Sequence, residues 1–196
     1  MDAEHYSKLT QGWHNLLRLN SNTVYVPIPK NAHTWMLRSF DYTAETHADI
    51  KDRFLVILRD PIDRWITGIG TYCGNHNFFK REFHSNQAPN WPLFFRDTLM
   101  PDGHTVPQTY FLRNVPLDQA DIFIVNRDLK QHISSYLNVT TELSNANVTA
   151  NSGYHRRITA SLKQYLNANP NVTEQLKNMY AEDYAVLKTA SPNELL

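Results

Sequence analysis

The sequence predicts an α/β fold with a mainly parallel central sheet flanked by helices. Three runs carry the prediction: TVYVPIP at 23–29, RFLVILR at 53–59 and DIFIVNR at 121–127. Each is short, apolar and rich in β-branched or aromatic residues. Continuous apolar runs of that length suit strands buried on both faces, as in a parallel sheet. A helix-like segment follows each run, and strands alternating with helices imply crossover connections.

The elements follow in order. Tyr6, Leu9, Trp13, Leu16 and Leu17 recur at helical spacing and predict a helix over 5–19. Pro27 and Pro29 finish the first strand. Residues 33–40 predict a helix that can pack Trp35, Met36, Leu37 and Phe40. The polar segment 41–52 reads as loop. Asp60-Pro61 breaks the second strand, and Pro61 suits the first turn of a helix running to about Tyr72. Aromatics scattered among prolines and asparagines over 73–107 predict loops and a short helix near 91–99. After the third strand, Asp128 can cap a helix over 129–137. The Asn/Thr/Ser-rich stretch 138–152 predicts a loop. Helices over 154–168 and 172–188 close the chain, with Asn-Pro between them and Thr173 as a cap.

The length of 196 residues predicts one domain, 1–196. Lys+Arg and Asp+Glu are both 19, so the formal net charge is zero. Bulk attraction to nucleic acid or an anionic membrane is not indicated, and any anion site must be a local cluster. Cys73 is the only cysteine, which rules out an internal disulfide and a cysteine zinc site. No apolar run is long enough for a membrane span, and the N-terminus lacks a basic-then-apolar signal pattern. A cytoplasmic location is expected, in a microbial or viral source. The Asn-Val-Thr triplets at Asn138, Asn147 and Asn171 then carry no glycan.

Ligands in open α/β sheets bind at the carboxyl ends of the strands. Lys30 and Arg59 each stand at such an end, so neighbouring strands would bring both cations to one crevice. Around Lys30, a strand-to-helix loop presents free backbone N–H groups to an anion. Ala32 is small enough to admit a phosphate, and Thr34 adds a hydroxyl. No glycine occurs in the loop, and its lysine precedes the turn, unlike the G-x-x-x-x-G-K-[ST] loop of nucleotide triphosphatases. Arg59 is a fixed fork suited to phosphate. Thr67 lies further along the helix that follows, and Asp60 and Asp63 can cap it or hold arginines.

These segments resemble the sulfotransferase family. PKNAHTW, 29–35, is similar to its 5′-phosphosulfate loop, P-K-x-G/A-x-T plus a large residue. RDPIDRWIT, 59–67, is similar to its 3′-phosphate motif, R-D-P-x-x-R-x-x-S. HTVPQ at 104–108 and YAEDYAVL at 180–187 resemble the H-x-x-P-Q segment and closing helix of the carbohydrate branch. The resemblance spans about residues 22–188 and implies a P-loop-like three-layer fold. It implies transfer of a sulfuryl group from 3′-phosphoadenosine 5′-phosphosulfate (PAPS) to an acceptor, here a glycan hydroxyl, with no metal. By that resemblance Lys30, Asn31, Ala32, His33, Thr34 and Trp35 hold the phosphosulfate. Arg59 and Thr67 hold the 3′-phosphate, Arg156 closes over it, and Lys30 stabilises the leaving nucleotide.

Three departures stand out. His33 replaces a small residue, Thr67 replaces serine, and the 29 residues from Lys30 to Arg59 are fewer than the family has. The shortened segment is where several members keep their base. A histidine or carboxylate is the expected base. His47, with Glu45 beside it, is the first choice and His33 the second. His104 is read as pinning its own loop, and His76 and His84 as lining an acceptor cleft. The other readings are a nucleotide-binding interaction protein without catalysis and a nucleotide kinase.

Overall fold

The three apolar runs become strands, and two segments that the apolar pattern does not mark join them. The computed structural model describes residues 7–10, 16–46, 48, 51–139 and 153–190. Its strands are β1 (Leu16–Arg18), β2 (Thr23–Val26), β3 (Thr43–Glu45), β4 (Arg53–Leu58) and β5 (Ala120–Ile124). Its helices are α1 (His33–Ser39), α2 (Pro61–Asn75), α3 (Lys80–His84), α4 (Trp91–Phe94) and α5 (Gln108–Leu112). They continue with α6 (Leu129–Leu137), α7 (Gly153–Ala168), α8 (Pro170–Met179) and α9 (Ala181–Ala190).

The five strands run in the order β3-β1-β2-β4-β5. β2, β4 and β5 are parallel, with Tyr25 opposite Leu55 and Ile57 opposite Phe123. β1 pairs antiparallel with both β2 and β3. The sheet is therefore mixed, which corrects the expectation of a mainly parallel one. The correction comes from the N-terminal side. Residues 7–9 are helical, but Leu16–Arg18 is a strand, with Leu17 opposite Tyr25 and Arg18 opposite Thr43. Arg18 fixes this edge by donating to Asp52 at 2.8 Å and to Glu45 at 2.6 Å. Pairing and ion contacts override the helical spacing of Leu16 and Leu17.

Period-two alternation in β4 feeds two cores. Leu55 and Ile57 pack with Trp35 and Met36 of α1 and Leu129 and Ile133 of α6. Phe54, Val56 and Leu58 pack with Phe111 and Leu112 of α5 and Leu187 of α9. The result is an α/β arrangement with helices on both faces. Leu55, Val56 and Ile57 are fully buried, and such side chains stabilise by about 1.5–3 kcal/mol each. A third cluster joins Trp65, Ile69 and Cys73 of α2 to Trp91, Ile158, Leu162 and Leu176.

Other expectations shift for local reasons. β2 stops at Val26, before Pro27. β5 is only half-buried because it is the last strand in the order. Asp128 precedes α6 but makes no side-chain cap. Asn169, not Thr173, occupies the N-cap position of α8, and the Thr173 hydroxyl donates to the Leu166 carbonyl at 3.3 Å. The expected helix over 172–188 is two helices, parted at Tyr180. Tyr180 is buried and its hydroxyl donates to the Thr105 carbonyl. Among the described residues, no helix is long and apolar enough to cross a membrane.

Two glycines of α2 set how closely its neighbours approach. A Cβ on Gly68 would sit 2.7 Å from the His104 carbonyl oxygen. One on Gly70 would sit 2.7 Å from the Thr159 side chain and 2.8 Å from the His155 ring. The loop around His104 and the start of α7 therefore lie directly against α2, and both reach the carboxyl end of the sheet.

Candidate functional site

A cleft of about 350 Å³ opens where β2, β4 and β5 end. That is within the range of small-ligand sites. Lys30, Arg59 and Lys130 bring three cations to its lining. Thr34, Thr67, Thr71 and Asn126 add polar side chains, and His33, His104 and His155 add three imidazoles. No carboxylate is among the described lining residues. The parallel pairing of β2 with β4 is what places Lys30 beside Arg59, as the strand-end rule expects. The Arg59 guanidinium donates to the Lys30 carbonyl at 3.4 Å.

The loop between β2 and α1 turns without glycine. Asn31 N–H donates to the Ile28 carbonyl at 3.2 Å. Lys30 has φ of 72° and Ala32 of 61°, both in the left-handed region that ordinary residues avoid. That conformation costs a non-glycine residue about 1–2 kcal/mol. Ala32→Gly is expected to change stability by less than about 1 kcal/mol, relief of strain offsetting lost chain entropy. Ala32→Val, β-branched at the same φ, should cost about 2 kcal/mol. Urea unfolding of the two variants checks both.

A buried polar relay holds this loop against the Arg59 strand end. Asn31 is fully buried and donates to the Ile57 carbonyl at 2.7 Å and to the Gln108 side-chain oxygen. Gln108 Oε1 also accepts the Arg59 N–H at 2.9 Å, and its Nε2 donates to the Arg59 carbonyl at 2.8 Å. Asp183 of α9 completes the relay. Its carboxylate accepts from the Gln108 and Thr109 N–H groups, each at 2.8 Å, and from the Thr109 hydroxyl at 2.9 Å. These are N–H groups that a helix start leaves unpaired. The stretches HTVPQ and YAEDY therefore meet, one supplying Gln108 and the other Asp183.

Arg64 ties a second seam. It is 1% exposed, donates to the Pro29 carbonyl at 2.9 Å and donates to the Val106 carbonyl. Burial pushes the Lys30 ammonium down to about 8; the Asp102 carboxylate opposes that shift, while the Arg64 and Arg59 charges add to it. Burial also lowers Arg59, which stays charged as arginines do. The Thr67 hydroxyl donates back to the Asp63 carbonyl at 2.8 Å. Serving a phosphate would require it to turn its proton. Asp60 caps α2 by accepting the Asp63 N–H at 2.8 Å.

The histidines divide by position. His33 lies on the cleft, stacks on Tyr25 at 6.1 Å, and has a buried Nδ1 without a partner. Burial lowers its pKa. His155 is lowered by burial first and also by Lys30, against a hydrogen bond with the Thr67 backbone. His104 pins its loop as expected, its Nδ1 lying 2.8 Å from Asp102, and it also lines the cleft. His76 and His84 do not line it. His47 lies outside the described residues, and Glu45 beside it is paired with Arg18.

Lys30, Ala32, His33, Thr34, Trp35, Arg59 and Thr67 therefore share one cleft. Asn31 works from beneath it, and Arg156 is exposed outside the lining. Its neighbour Arg157 is turned away, donating to the Phe83 carbonyl at 2.6 Å. Sequence reasoning missed Asn126, Lys130 and His155. The strand-end rule, applied to DIFIVNR, would have found Asn126. Lys130 is the second residue of α6, with its ammonium 5.9 Å from the Trp35 ring centroid. Among the described residues no group of three or more His, Cys, Asp or Glu side chains is placed to hold a metal ion.

The fold and the cleft define a class no narrower than an α/β protein with a cationic cleft at its strand ends. Comparison with known proteins narrows it no further: no family model, no curated protein and no solved structure matches the chain.

Proposed function

We propose that the chain is a small sulfotransferase, moving a sulfuryl group from PAPS to an acceptor hydroxyl, with a glycan as the acceptor class. The observation that carries this reading is the meeting of Lys30 and Arg59 in one cleft without carboxylates. They are the two cleft-lining cations of the motifs that resemble donor-binding segments. A donor with two separate phosphate ends needs two cationic points, and Lys30 and Arg59 supply them. The fold, in this reading, is a reduced P-loop-like one in which Lys30 and Ala32 take the left-handed positions that glycine usually fills.

The chemistry is an in-line displacement. The acceptor oxygen forms a bond to sulfur as the bridging S–O bond breaks. The electron pair stays on the bridging oxygen of the departing adenosine 3′,5′-bisphosphate. Lys30 stabilises that charge, Arg59 and Thr67 hold the 3′-phosphate, and His33 and Trp35 line the donor side. Positioning and fixed charge supply most of the acceleration in reactions of this kind. A nucleotide kinase would need an acidic side chain for Mg²⁺ at the cleft, and no described lining residue offers one.

Thermal unfolding with adenosine 3′,5′-bisphosphate against ADP tests donor identity. At 100 times Kd a bound ligand adds about 2.7 kcal/mol, or roughly 5–10 °C for a chain of this size. The bisphosphate should give that shift and ADP much less. Equal or absent shifts would overturn the reading. A strong bisphosphate shift without transfer to any acceptor favours the non-catalytic binding protein.

A further inference from the structure

Three described histidines line the cleft, and the ring of one of them, His104, lies on a carboxylate. Asp102 Oδ2 lies 2.8 Å from His104 Nδ1, and Asp102 Oδ1 accepts the His104 N–H at 3.0 Å. Both carboxylate oxygens thus orient one residue. A carboxylate on Nδ1 selects the tautomer with its proton there, which leaves the lone pair on Nε2. His33 is stacked on Tyr25 and His155 is engaged with the Thr67 backbone.

The loop that carries the pair is rigidly seated. The Thr105 hydroxyl donates to the Asp102 carbonyl at 2.7 Å, and Tyr180 donates to the Thr105 carbonyl. Gly68 lets the His104 backbone rest directly on α2. The side chains of His104 and Asp102 keep 20% and 24% exposure, so an acceptor can reach them. The groups that feel the Asp102 charge come from two elements: Lys30 on the donor loop, and Arg64, Tyr72 and Cys73 on α2. The pair therefore faces the same electrostatic field as the residue assigned to the leaving group.

We propose that His104 is the general base of the transfer, with Asp102 as its positioning residue. The inference rests on the sulfotransferase reading and replaces His47 as first choice for the base. His104 Nε2 takes the proton of the acceptor hydroxyl as that oxygen bonds to sulfur. The bridging S–O bond breaks, its electron pair leaves with the bisphosphate, and the imidazolium returns its proton to solvent. No oxidant or metal is needed for the balance.

The test uses the full chain with PAPS and a panel of sugars and phenols, plus water as the default acceptor. Mass spectrometry reads transfer, and release of adenosine 3′,5′-bisphosphate reads turnover. General-base catalysis contributes typically 10²–10⁴-fold. His104→Ala should lower kcat by at least about 100-fold with bisphosphate Kd changed less than twofold. The defect should shrink for acidic phenols, which need little help losing a proton. Asp102→Asn should lower kcat and displace the pH–rate profile, a change that a merely structural role would not produce. Full activity in His104→Ala, or a loss that is uniform across acceptor acidity, would overturn the assignment while leaving the transferase reading intact. A wild-type chain that turns over no PAPS at all would overturn both.

Discussion

Replacing Lys30 with glycine is expected to lower sulfuryl transfer by roughly 10²–10³-fold, the usual cost of deleting one preorganised group that stabilises developing charge. Glycine is the informative choice because φ at position 30 is 72°. It removes the ammonium while suiting the backbone better than lysine does. The variant should therefore unfold at or near the wild-type temperature, so that a loss of activity reports the charge and not the fold. Bisphosphate binding should weaken only about tenfold, since Arg59 and Lys130 still line the cleft. Transfer that survives the substitution would remove Lys30 from the mechanism.

The same residue sets a pH dependence whose sign is fixed. The ordinary lysine amine holds its proton to about 10.5, and burial brings Lys30 down to about 8. The free protein therefore loses this positive charge as pH rises from 7 to 9. Bisphosphate affinity should fall across that window, with a proton taken up on binding at its upper end. Lys30→Arg keeps its charge throughout and should flatten the dependence. Isothermal titration calorimetry in two buffers of different ionisation enthalpy reads both the affinity and the proton.

What the sequence revealed, and what it hid, follows from the range of the interactions involved. β2 and β4 were legible because each sits between neighbours, so every side chain beyond the leading Thr23 and Arg53 is apolar, and Pro27 and Pro61 follow their ends. The meeting of Lys30 and Arg59 was legible because both sit at fixed offsets from those strands. β1 and β3 were not. Leu16–Arg18 is three residues whose spacing suits a helix face equally well, and Thr43–Glu45 is largely exposed and carries no apolar signal. Only contacts distant in sequence, Leu17 opposite Tyr25 and Arg18 on Asp52, decide the matter. The cleft divides the same way. His155 arrives because α7 packs on Gly70, a close approach that no spacing within 153–168 encodes. The match of Gln108 to Asp183 spans 75 residues and appears in the sequence only as two unconnected motifs.

That match carries the last expected result. Asp183→Ala should destabilise the protein by about 3 kcal/mol, and Asp183→Asn by about half as much. The carboxylate is 2% exposed and accepts two N–H groups and a hydroxyl within 2.9 Å. Hydrogen bonds to a charged group are worth about 1.5–3 kcal/mol, and buried donors left unpaired cost about 1–3 kcal/mol. The three bonds share one acceptor and act as a unit, so their energies do not add. Asparagine keeps one oxygen for the Gln108 or Thr109 N–H but sets its amide against the other. For a chain of this length, 3 kcal/mol corresponds to a fall in Tm of roughly 6–12 °C. A functional loss should accompany it. Gln108 receives the bond from Asn31 and brackets both backbone groups of Arg59, so a loosened Gln108 loosens the two strand ends that carry Lys30 and Arg59. Bisphosphate affinity in Asp183→Asn, measured well below its Tm, should fall about tenfold although residue 183 does not line the cleft. Unchanged affinity together with the lowered Tm would confine Asp183 to holding α9 against α5.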